Sequence, residues 1–334
     1  MHDGETGRER ETGRERETGQ EPASTEPGTL FAIGGAEAKL RRRSVLRAFV
    51  AAAGGGEARI VVVPSASSLG PEVVEVYQAV FRSLGAASVE AVRPESRADA
   101  QDLELAARLA DATGVFMTGG NQLKLSNFVI GTPFAEAIHA AYRRGAAVGG
   151  TSAGASIVAD HMIAFGSGGS TPKQRMSQLS VGLGLLRGVV IDQHFEQRNR
   201  YGRLLSLVAQ SPSLLGIGVD EDTAAVVRHG DQLEVVGRGA VTVVDGTHLV
   251  SNAYAAQRTA PLLVSGATIH VLPAGSRFDL TRRTLVQHVE PLPDAEVAEV
   301  RAAESDLRGL ARDIAAEGIS PTHYARRLRR GRRT

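Results

Sequence analysis

Short apolar runs alternate with amphipathic segments along the first half of the chain, and this alternation limits the fold more than any other feature. The runs that predict strands are 30–34, 59–64, 88–92, 114–118 and 146–149. Apolar residues at helical spacing lie between them, at 40–53, 71–84, 98–110 and 134–144. Short apolar strands separated by helices are typical of a parallel sheet that is buried on both faces. We therefore predict an α/β fold with a mostly parallel sheet and helices on both faces, whose functional site lies at the carboxyl ends of the strands.

The pattern changes from about residue 214. Short strands are then separated by turn signals such as Asp245-Gly246, which predicts an antiparallel extension on the same domain. Residues 1–28 repeat the hexapeptide ETGRER with almost no apolar side chains, which predicts a disordered low-complexity tail. Residues 291–334 predict an amphipathic helix followed by an arginine-rich end. The folded α/β domain is therefore assigned to residues 29–290.

Residues 147–155, AVGGTSAGA, run from a buried strand into a turn of the form G-x-S-x-G. Small residues around Ser152 let the backbone turn sharply and expose the hydroxyl, while the start of a helix supplies N–H groups to an oxyanion. No other serine in the sequence has this flanking pattern. The pattern predicts a nucleophilic serine. The alternative is a tight turn whose serine only caps the helix.

The composition narrows the chemistry further. The 334 residues include no cysteine, which excludes disulfides, thiolate metal sites and a thiol nucleophile. The formal net charge of +1 argues against nucleic acid as a partner, because phosphate binding needs a concentrated basic face. No apolar run reaches membrane-spanning length and the first residues lack the apolar core of a signal peptide, so we expect no membrane contact and a cytoplasmic location. We expect neither a metal nor a cofactor.

A nucleophilic serine needs a base, and His194 differs from the other histidines because it follows a buried strand. The apolar run 189–191 ends in DQHF, so these side chains emerge where parallel sheets build their sites. His161 is closer to Ser152 in sequence. If the helix after the turn continues, however, nine residues place His161 roughly 13 Å along the axis. His194 is therefore the predicted base.

Acidic side chains follow a further strand of the same kind. The apolar run 215–219 ends in Asp220, Glu221 and Asp222. One of these carboxylates can orient the imidazole and stabilise its protonated form, and the residues alone do not select among them. The chain order of serine, histidine and acid differs from that of the α/β-hydrolases, in which the acid precedes the histidine.

Three arginines lie beside the predicted base. Arg198, Arg200 and Arg203 bind carboxylates with planar guanidinium groups, which predicts a substrate that carries more than one carboxylate. Asp192 and Gln193 offer the opposite polarity. A ligand with carboxylates and a guanidinium or amine matches the whole set. The alternative is a cluster that caps a helix and forms internal salt bridges.

Four motifs together resemble those of the cyanophycinases, which are serine peptidases on the class I glutamine-amidotransferase-like fold. The motifs are TGGNQ at 118–122, GTSAGA at 150–155, DQHF at 192–195 with the three arginines, and GIGVDEDT at 216–223. The resemblance runs in order from about residue 28 to residue 286. It implies hydrolysis of cyanophycin, a poly-aspartate with an arginine on each β-carboxyl, to β-aspartyl-arginine dipeptides.

The resemblance also implies roles for individual residues. Ser152 is the nucleophile, His194 the general base and then acid, and Glu221 the orienting carboxylate. The backbone N–H groups of Gly120 and Ala153 are the expected oxyanion donors. The substrate pocket is expected to contain Gln122, Asp192, Gln193, Arg198, Arg200 and Arg203. Cyanophycin is the predicted polymer substrate, and we predict a homodimer.

Two other functions fit part of the pattern. A dipeptidase of the same fold, acting on aspartyl dipeptides, shares the serine turn but should lack the three arginines and the Asp-Gln pair before the histidine. A non-catalytic protein that binds an arginine-bearing ligand needs only the pocket, and would tolerate loss of Ser152, His194 or Glu221. The chain has the three arginines and the Asp-Gln pair that the dipeptidase should lack, and it keeps Ser152, His194 and Glu221, which a binding protein would not need.

Overall fold

The computed structural model describes residues 26–40 and 42–289. The strands, in chain order, are β1 Leu30–Ile33, β2 Arg59–Val63, β3 Ser88–Ala91, β4 Gly114–Met117, β5 Ala147–Thr151, β6 Ala159–Gly166, β7 Ser177–Val181, β8 Leu186–Gln193, β9 Leu215–Val219, β10 Thr223–Arg228, β11 Gln232–Gly237, β12 Ala240–Asp245, β13 Val250–Ser251, β14 Val264–Ser265, β15 Thr268–Pro273, β16 Ser276–Asp279 and β17 Thr284–His288. The helices are α1 Ser44–Ala52, α2 Pro71–Ser83, α3 Arg97–Ala100, α4 Leu103–Ala107, α5 Gln122–Val129, α6 Pro133–Arg143, α7 Ala153–Ser156 and α8 Tyr201–Gln210, with a short 3₁₀ turn at Gly55–Glu57. The predicted C-terminal helix and basic end, and the predicted tail up to residue 25, lie outside the described residues.

The larger sheet has nine strands in the order β17-β16-β11-β10-β1-β5-β4-β2-β3. Its half from β1 to β3 is parallel throughout. Strands β10, β11, β16 and β17 continue it as an antiparallel extension beside β1. The predicted fold class and its antiparallel extension are therefore confirmed.

Side chains of β1 alternate between two hydrophobic cores, as the period of a strand requires. Phe31 and Ile33 face an aromatic cluster under α1 and α2, in which Phe49 contacts Phe31 edge to face. Leu30 and Ala32 face the opposite core, to which α6 contributes. Both faces of the parallel strands are thus buried, which explains their lack of polar alternation.

A second sheet was not predicted from the sequence. It has six strands in the order β15-β12-β9-β8-β6-β7, and a two-stranded ribbon of β13 and β14 lies apart from it. The core behind β1 is shared by both sheets, since Val148 of β5 and Ile191 of β8 belong to the same cluster. Helix α8 covers the outer face of the second sheet with Leu204 and Val208. The strands that precede Ser152 and His194 therefore come from different sheets.

Two predicted helices have different bounds in the structure. The segment 98–110 forms α3 and α4 instead of one helix, because a capping box at Ser96 starts the first and the Asp102 carboxylate caps the second. The helix predicted over 40–53 begins at Ser44, since Arg43 has a left-handed backbone with a φ of 43°.

The helix that follows Ser152 is much shorter than the sequence analysis assumed. Helix α7 ends at Ser156, and His161 lies on strand β6. His161 is half exposed and pairs with Asp160 at 3.2 Å. The continuous helix assumed after Ser152 is therefore wrong. The conclusion drawn from it, that His161 is not the base, does not depend on that helix, because the histidine in contact with Ser152 is His194.

Candidate active site

Ser152 lies at a strained turn between β5 and α7. Its φ of 53° and ψ of −108° are conformations that side-chain-bearing residues rarely adopt. Gly150 and Gly154 make the turn possible, because a Cβ on either would lie 2.1 or 2.2 Å from the carbonyl oxygen of Met117. The Ser152 N–H donates to the carbonyl of Ile33 at 2.9 Å. The G-x-S-x-G pattern thus serves a close backbone approach as well as a sharp turn.

His194 contacts the serine from the end of β8. Its imidazole Nε2 lies 2.9 Å from Ser152 Oγ, and its backbone N–H donates to the carbonyl of Gly34 at 2.7 Å. The imidazole packs directly on Gly35, where a Cβ would lie only 2.2 Å from Cε1 of the ring. Any side chain at Gly35 would therefore displace the histidine. Sequence reasoning missed Gly35, although a Gly-Gly pair directly after a buried strand is a signal for such a contact.

Glu221 completes a line of hydrogen bonds, with Oε1 lying 2.6 Å from His194 Nδ1. The two neighbouring acids have other partners. Asp220 accepts from the N–H groups of Glu196 and Ala240, and Asp222 accepts from the N–H of Ala38. Of the three acids left open by spacing alone, the structure therefore places Glu221 against the imidazole.

The environment of His194 favours a neutral imidazole. Burial lowers its pKa, and the positive charges of Arg198 and Arg200 act in the same direction. The hydrogen bond and charge of Glu221 raise the pKa and partly oppose this, leaving it below the ordinary value of 6.5. A neutral histidine that is hydrogen-bonded to a hydroxyl can accept its proton, so the arrangement is suited to generating a nucleophilic alkoxide.

The expected oxyanion donors belong to two segments next to the serine. Ala153 follows Ser152 at the start of α7, and the Gly119-Gly120 loop passes beside it, with the Cβ position of Gly119 3.4 Å from Ser152 Cβ. Gly120 has a φ of 144°, and a Cβ there would lie 2.1 Å from the carbonyl oxygen of Ala66. This position requires glycine, which fixes the path of the loop.

The structure changes the interpretation of the charged cluster beside the base. Asp192 has no exposed surface, and its Oδ2 accepts from Arg203 Nε at 2.6 Å. Its Oδ1 accepts from Arg200 Nη1 at 3.1 Å and also from Arg203. Asp192 therefore pairs with both Arg200 and Arg203 inside the protein, and the cluster keeps one positive charge that this carboxylate does not balance. The carboxylate of Asp192 thus already has two internal partners, and its expected contact with a substrate guanidinium stays a prediction.

The remaining residues of the predicted pocket divide into buried and exposed groups. Gln193 is buried and accepts from Ser156 Oγ at 2.8 Å. Gln122 donates to the carbonyls of Ile163 and Ala164 on β6, at 3.0 Å each. Arg198 is exposed, and its charge acts on His194. Among the three arginines, Arg198 is thus the one that faces solvent near the base.

Comparison with known proteins gives the family. Residues 30–236 match peptidase family S51. The cyanophycinase of Trichormus variabilis is 41% identical over 270 residues, covering 80% of this chain and 90% of that protein. The cyanophycinase of Synechococcus elongatus is 40% identical over 272 residues, covering 81% of this chain and 84% of that protein.

A solved structure agrees at the level of the fold. The crystal structure of a peptidase from an acI-B1 Actinobacterium superposes with a TM-score of 0.56 at 22% identity, covering 76% of this chain and 97% of that one. The family match spans more than half of the sequence, and it includes the serine turn, the histidine and the acid described above. The chain therefore belongs to peptidase family S51 and is a serine-type peptidase.

Proposed function

We propose that this protein is a cyanophycinase that removes β-aspartyl-arginine dipeptides from the end of cyanophycin. The observation that carries the proposal is the continuous line of hydrogen bonds from Ser152 through His194 to Glu221. The roughly 40% identity to proteins named cyanophycinase over most of the chain supports the choice of substrate. A non-catalytic binding protein has no use for such a line, since binding does not require an activated hydroxyl.

Hydrolysis proceeds in two steps in this proposal. Ser152 Oγ attacks the carbonyl carbon of the bond between two aspartates, and its proton passes to Nε2 of His194. The N–H groups of Gly120 and Ala153 stabilise the oxyanion, and the protonated His194 then gives its proton to the leaving amine. A water molecule, deprotonated by His194, attacks the acyl-enzyme and releases Ser152. Glu221 stabilises the imidazolium in both steps.

Arg198 is the arginine that we assign to the substrate. It is exposed beside His194, whereas the charges of Arg200 and Arg203 are committed to Asp192. A carboxylate of the aspartate backbone is the group that a guanidinium recognises by paired hydrogen bonds. Gln122 and Gln193 support the pocket in this proposal, because they hold β6 and α7.

The direct test is digestion of purified cyanophycin, compared with plain poly-aspartate and with an α-aspartyl dipeptide. We expect soluble β-aspartyl-arginine from cyanophycin and a much lower kcat/KM on the other two substrates. In the same assay Arg198→Gln should raise KM for cyanophycin by up to about 10-fold, because the lost contact involves an exposed charge. Faster turnover of the α-aspartyl dipeptide by the parent enzyme would assign the protein to the aspartyl dipeptidases instead.

The pH dependence of kcat/KM follows from the lowered pKa of His194. The base must be neutral, so we expect activity to be retained as the pH falls to 6.5 and to be lost only below it. Arg198→Gln removes a charge that lowers this pKa and should move the acidic limb to higher pH. Glu221→Gln removes a charge that raises it and should move the limb to lower pH, with a slower rate. Opposite shifts, measured from pH 4 to 8, would contradict the assigned base.

Location and assembly are part of the proposal. No helix within residues 26–40 and 42–289 is long and apolar enough to cross a membrane. We propose a cytoplasmic location and a homodimer, as predicted from the sequence. Fractionation of the producing cells and sedimentation of the purified protein test these two points directly.

A further inference from the structure

A buried carboxylate that the proposed mechanism does not use lies behind the serine turn. The side chain of Glu37 is 1% exposed, and its Oε2 accepts from the hydroxyl of Thr151, the residue before Ser152. Its Oε1 accepts from the Tyr77 hydroxyl at 2.5 Å and lies 2.9 Å from Lys39 Nζ. Both oxygens of this carboxylate are therefore engaged.

Glu37 remains charged despite its burial. Burial raises its pKa, but the charge of Lys39 and the hydrogen bonds from Thr151 and Tyr77 together hold the pKa below 4.5. An ionised carboxylate accepts stronger hydrogen bonds than a neutral group, so its hold on the Thr151 hydroxyl is firm. Removing one partner of such a buried group leaves the others unsatisfied.

The segment that carries Glu37 touches all three catalytic segments through its backbone. The carbonyls of Ile33, Gly34 and Gly35 accept, in turn, from the N–H groups of Ser152 at 2.9 Å, His194 at 2.7 Å and Asp222 at 2.9 Å. The N–H of Ala38 then donates to the Asp222 carboxylate at 2.8 Å. Residues 33–38 thus join the ends of β5, β8 and β9, which belong to two different sheets.

Glu37 ties this segment to the turn at its most strained point. Ser152 keeps a φ of 53° only if its surroundings hold it there, because such a backbone relaxes when it is free. Thr151, whose hydroxyl donates to Glu37, directly precedes Ser152 in the chain. Glu37 itself follows Gly35 by two residues, and the imidazole of His194 packs on Gly35. A shift of the carboxylate would therefore change the serine and the histidine together.

We propose that Glu37 is a positioning residue for hydrolysis, which holds Thr151 and residues 33–38 so that Ser152, His194 and Glu221 stay aligned. The inference rests on the triad assigned in the proposed function, and it does not depend on which polymer is cleaved. In this proposal a buried carboxylate outside the triad acts on the reaction through the position of the triad and without contact with the substrate.

The main test is Thr151→Val, which keeps the shape of the side chain and removes the hydroxyl. We expect kcat to fall by about 10- to 100-fold with KM within about twofold, since a displacement of about 1 Å at the reacting atoms has effects of this size. Thr151→Ser retains a hydroxyl and should restore kcat to within about threefold of the parent. A rise in KM at constant kcat would overturn the proposal, because it would make Thr151 a binding residue.

Thr132→Val is the matched control. The Thr132 hydroxyl is equally buried, donates to the carbonyl of Val129 at 2.7 Å and caps α6 away from the site. Both valine variants should lower the Tm, whereas Thr132→Val should leave kcat unchanged. Equal kcat values in the two variants would show that the Thr151 contact is merely structural, and would overturn the proposal.

Glu37→Gln gives a second test with a side chain of the same shape. Glu37→Gln should lower kcat without changing KM. The double variant, Glu37→Gln with Thr151→Val, should have the same kcat as the less active of the two single variants, since both substitutions remove the same contact. Additive losses would contradict the inference. The rate at which a fluorophosphonate phosphonylates Ser152 should rank the parent and the variants in the same order as their kcat values. This measurement does not use cyanophycin. Failure of the parent to cleave cyanophycin would therefore overturn only the substrate.

Discussion

Ser152→Ala is expected to reduce hydrolysis by on the order of 10⁴- to 10⁶-fold, with folding and polymer binding retained. The hydroxyl is the atom that His194 Nε2 contacts at 2.9 Å, and the serine side chain makes no capping bond to α7. The alternative role as a helix cap therefore has no support in the geometry, and removing Oγ should cost little stability. The proposed oxyanion donors are backbone groups, which the substitution does not remove, so we expect a residual rate above that of water.

The measurement is release of β-aspartyl-arginine from cyanophycin, together with sedimentation of the variant with the insoluble polymer. Ser126→Ala serves as the control, because this serine is also buried but donates its hydroxyl to the carbonyl of Val181 at 2.8 Å. It should retain most of its activity. Substantial turnover by Ser152→Ala, or an equal loss in both variants, would contradict the assignment of the nucleophile.

Local patterns were sufficient to predict the parallel half of the larger sheet and the position of the serine turn. Each parallel strand is short and apolar because both of its faces are buried, so the signal is contained within a few residues. The signal for the serine turn is equally local, since Gly150 and Gly154 are both required by a close approach to the carbonyl oxygen of Met117. The histidine was predicted from its place at a strand end, which is a topological property that parallel sheets share.

The second sheet was beyond such patterns. Strand β6 begins three residues after α7 ends, and nothing in its sequence marks the change from helix to strand. Its pairing with β8 is a contact across about thirty residues, which strand propensity does not encode. The assumption of a continuous helix after Ser152 failed for this reason, and the sequence likewise did not show that β8 and β9 belong to a second sheet.

The arginines show that one sequence signal is compatible with two different arrangements. Arg200 and Arg203 are three residues apart at the start of α8, so they lie on one face of the helix. Both arginines donate to the carboxylate of Asp192 at the end of β8, which is the element that directly precedes α8 in the chain. An acid and two basic residues at this spacing are typical of an internal ion cluster as much as of a ligand site. Only the burial of Asp192 distinguishes the two.

Asp192→Asn is therefore expected to destabilise the protein by about 3–5 kcal/mol, with a drop in Tm on the order of 10 °C. The amide leaves the guanidinium of Arg203, whose side chain is 5% exposed, without a balancing charge. Burial lowers the pKa of Arg200 to about 10, so it also stays protonated at neutral pH and repels Arg203. Asp245→Asn is the control, since its partner Arg283 is partly exposed and the loss should be under about 1 kcal/mol. Unchanged stability, with weaker preference for arginine-bearing polymer, would instead support the predicted contact between Asp192 and a substrate guanidinium.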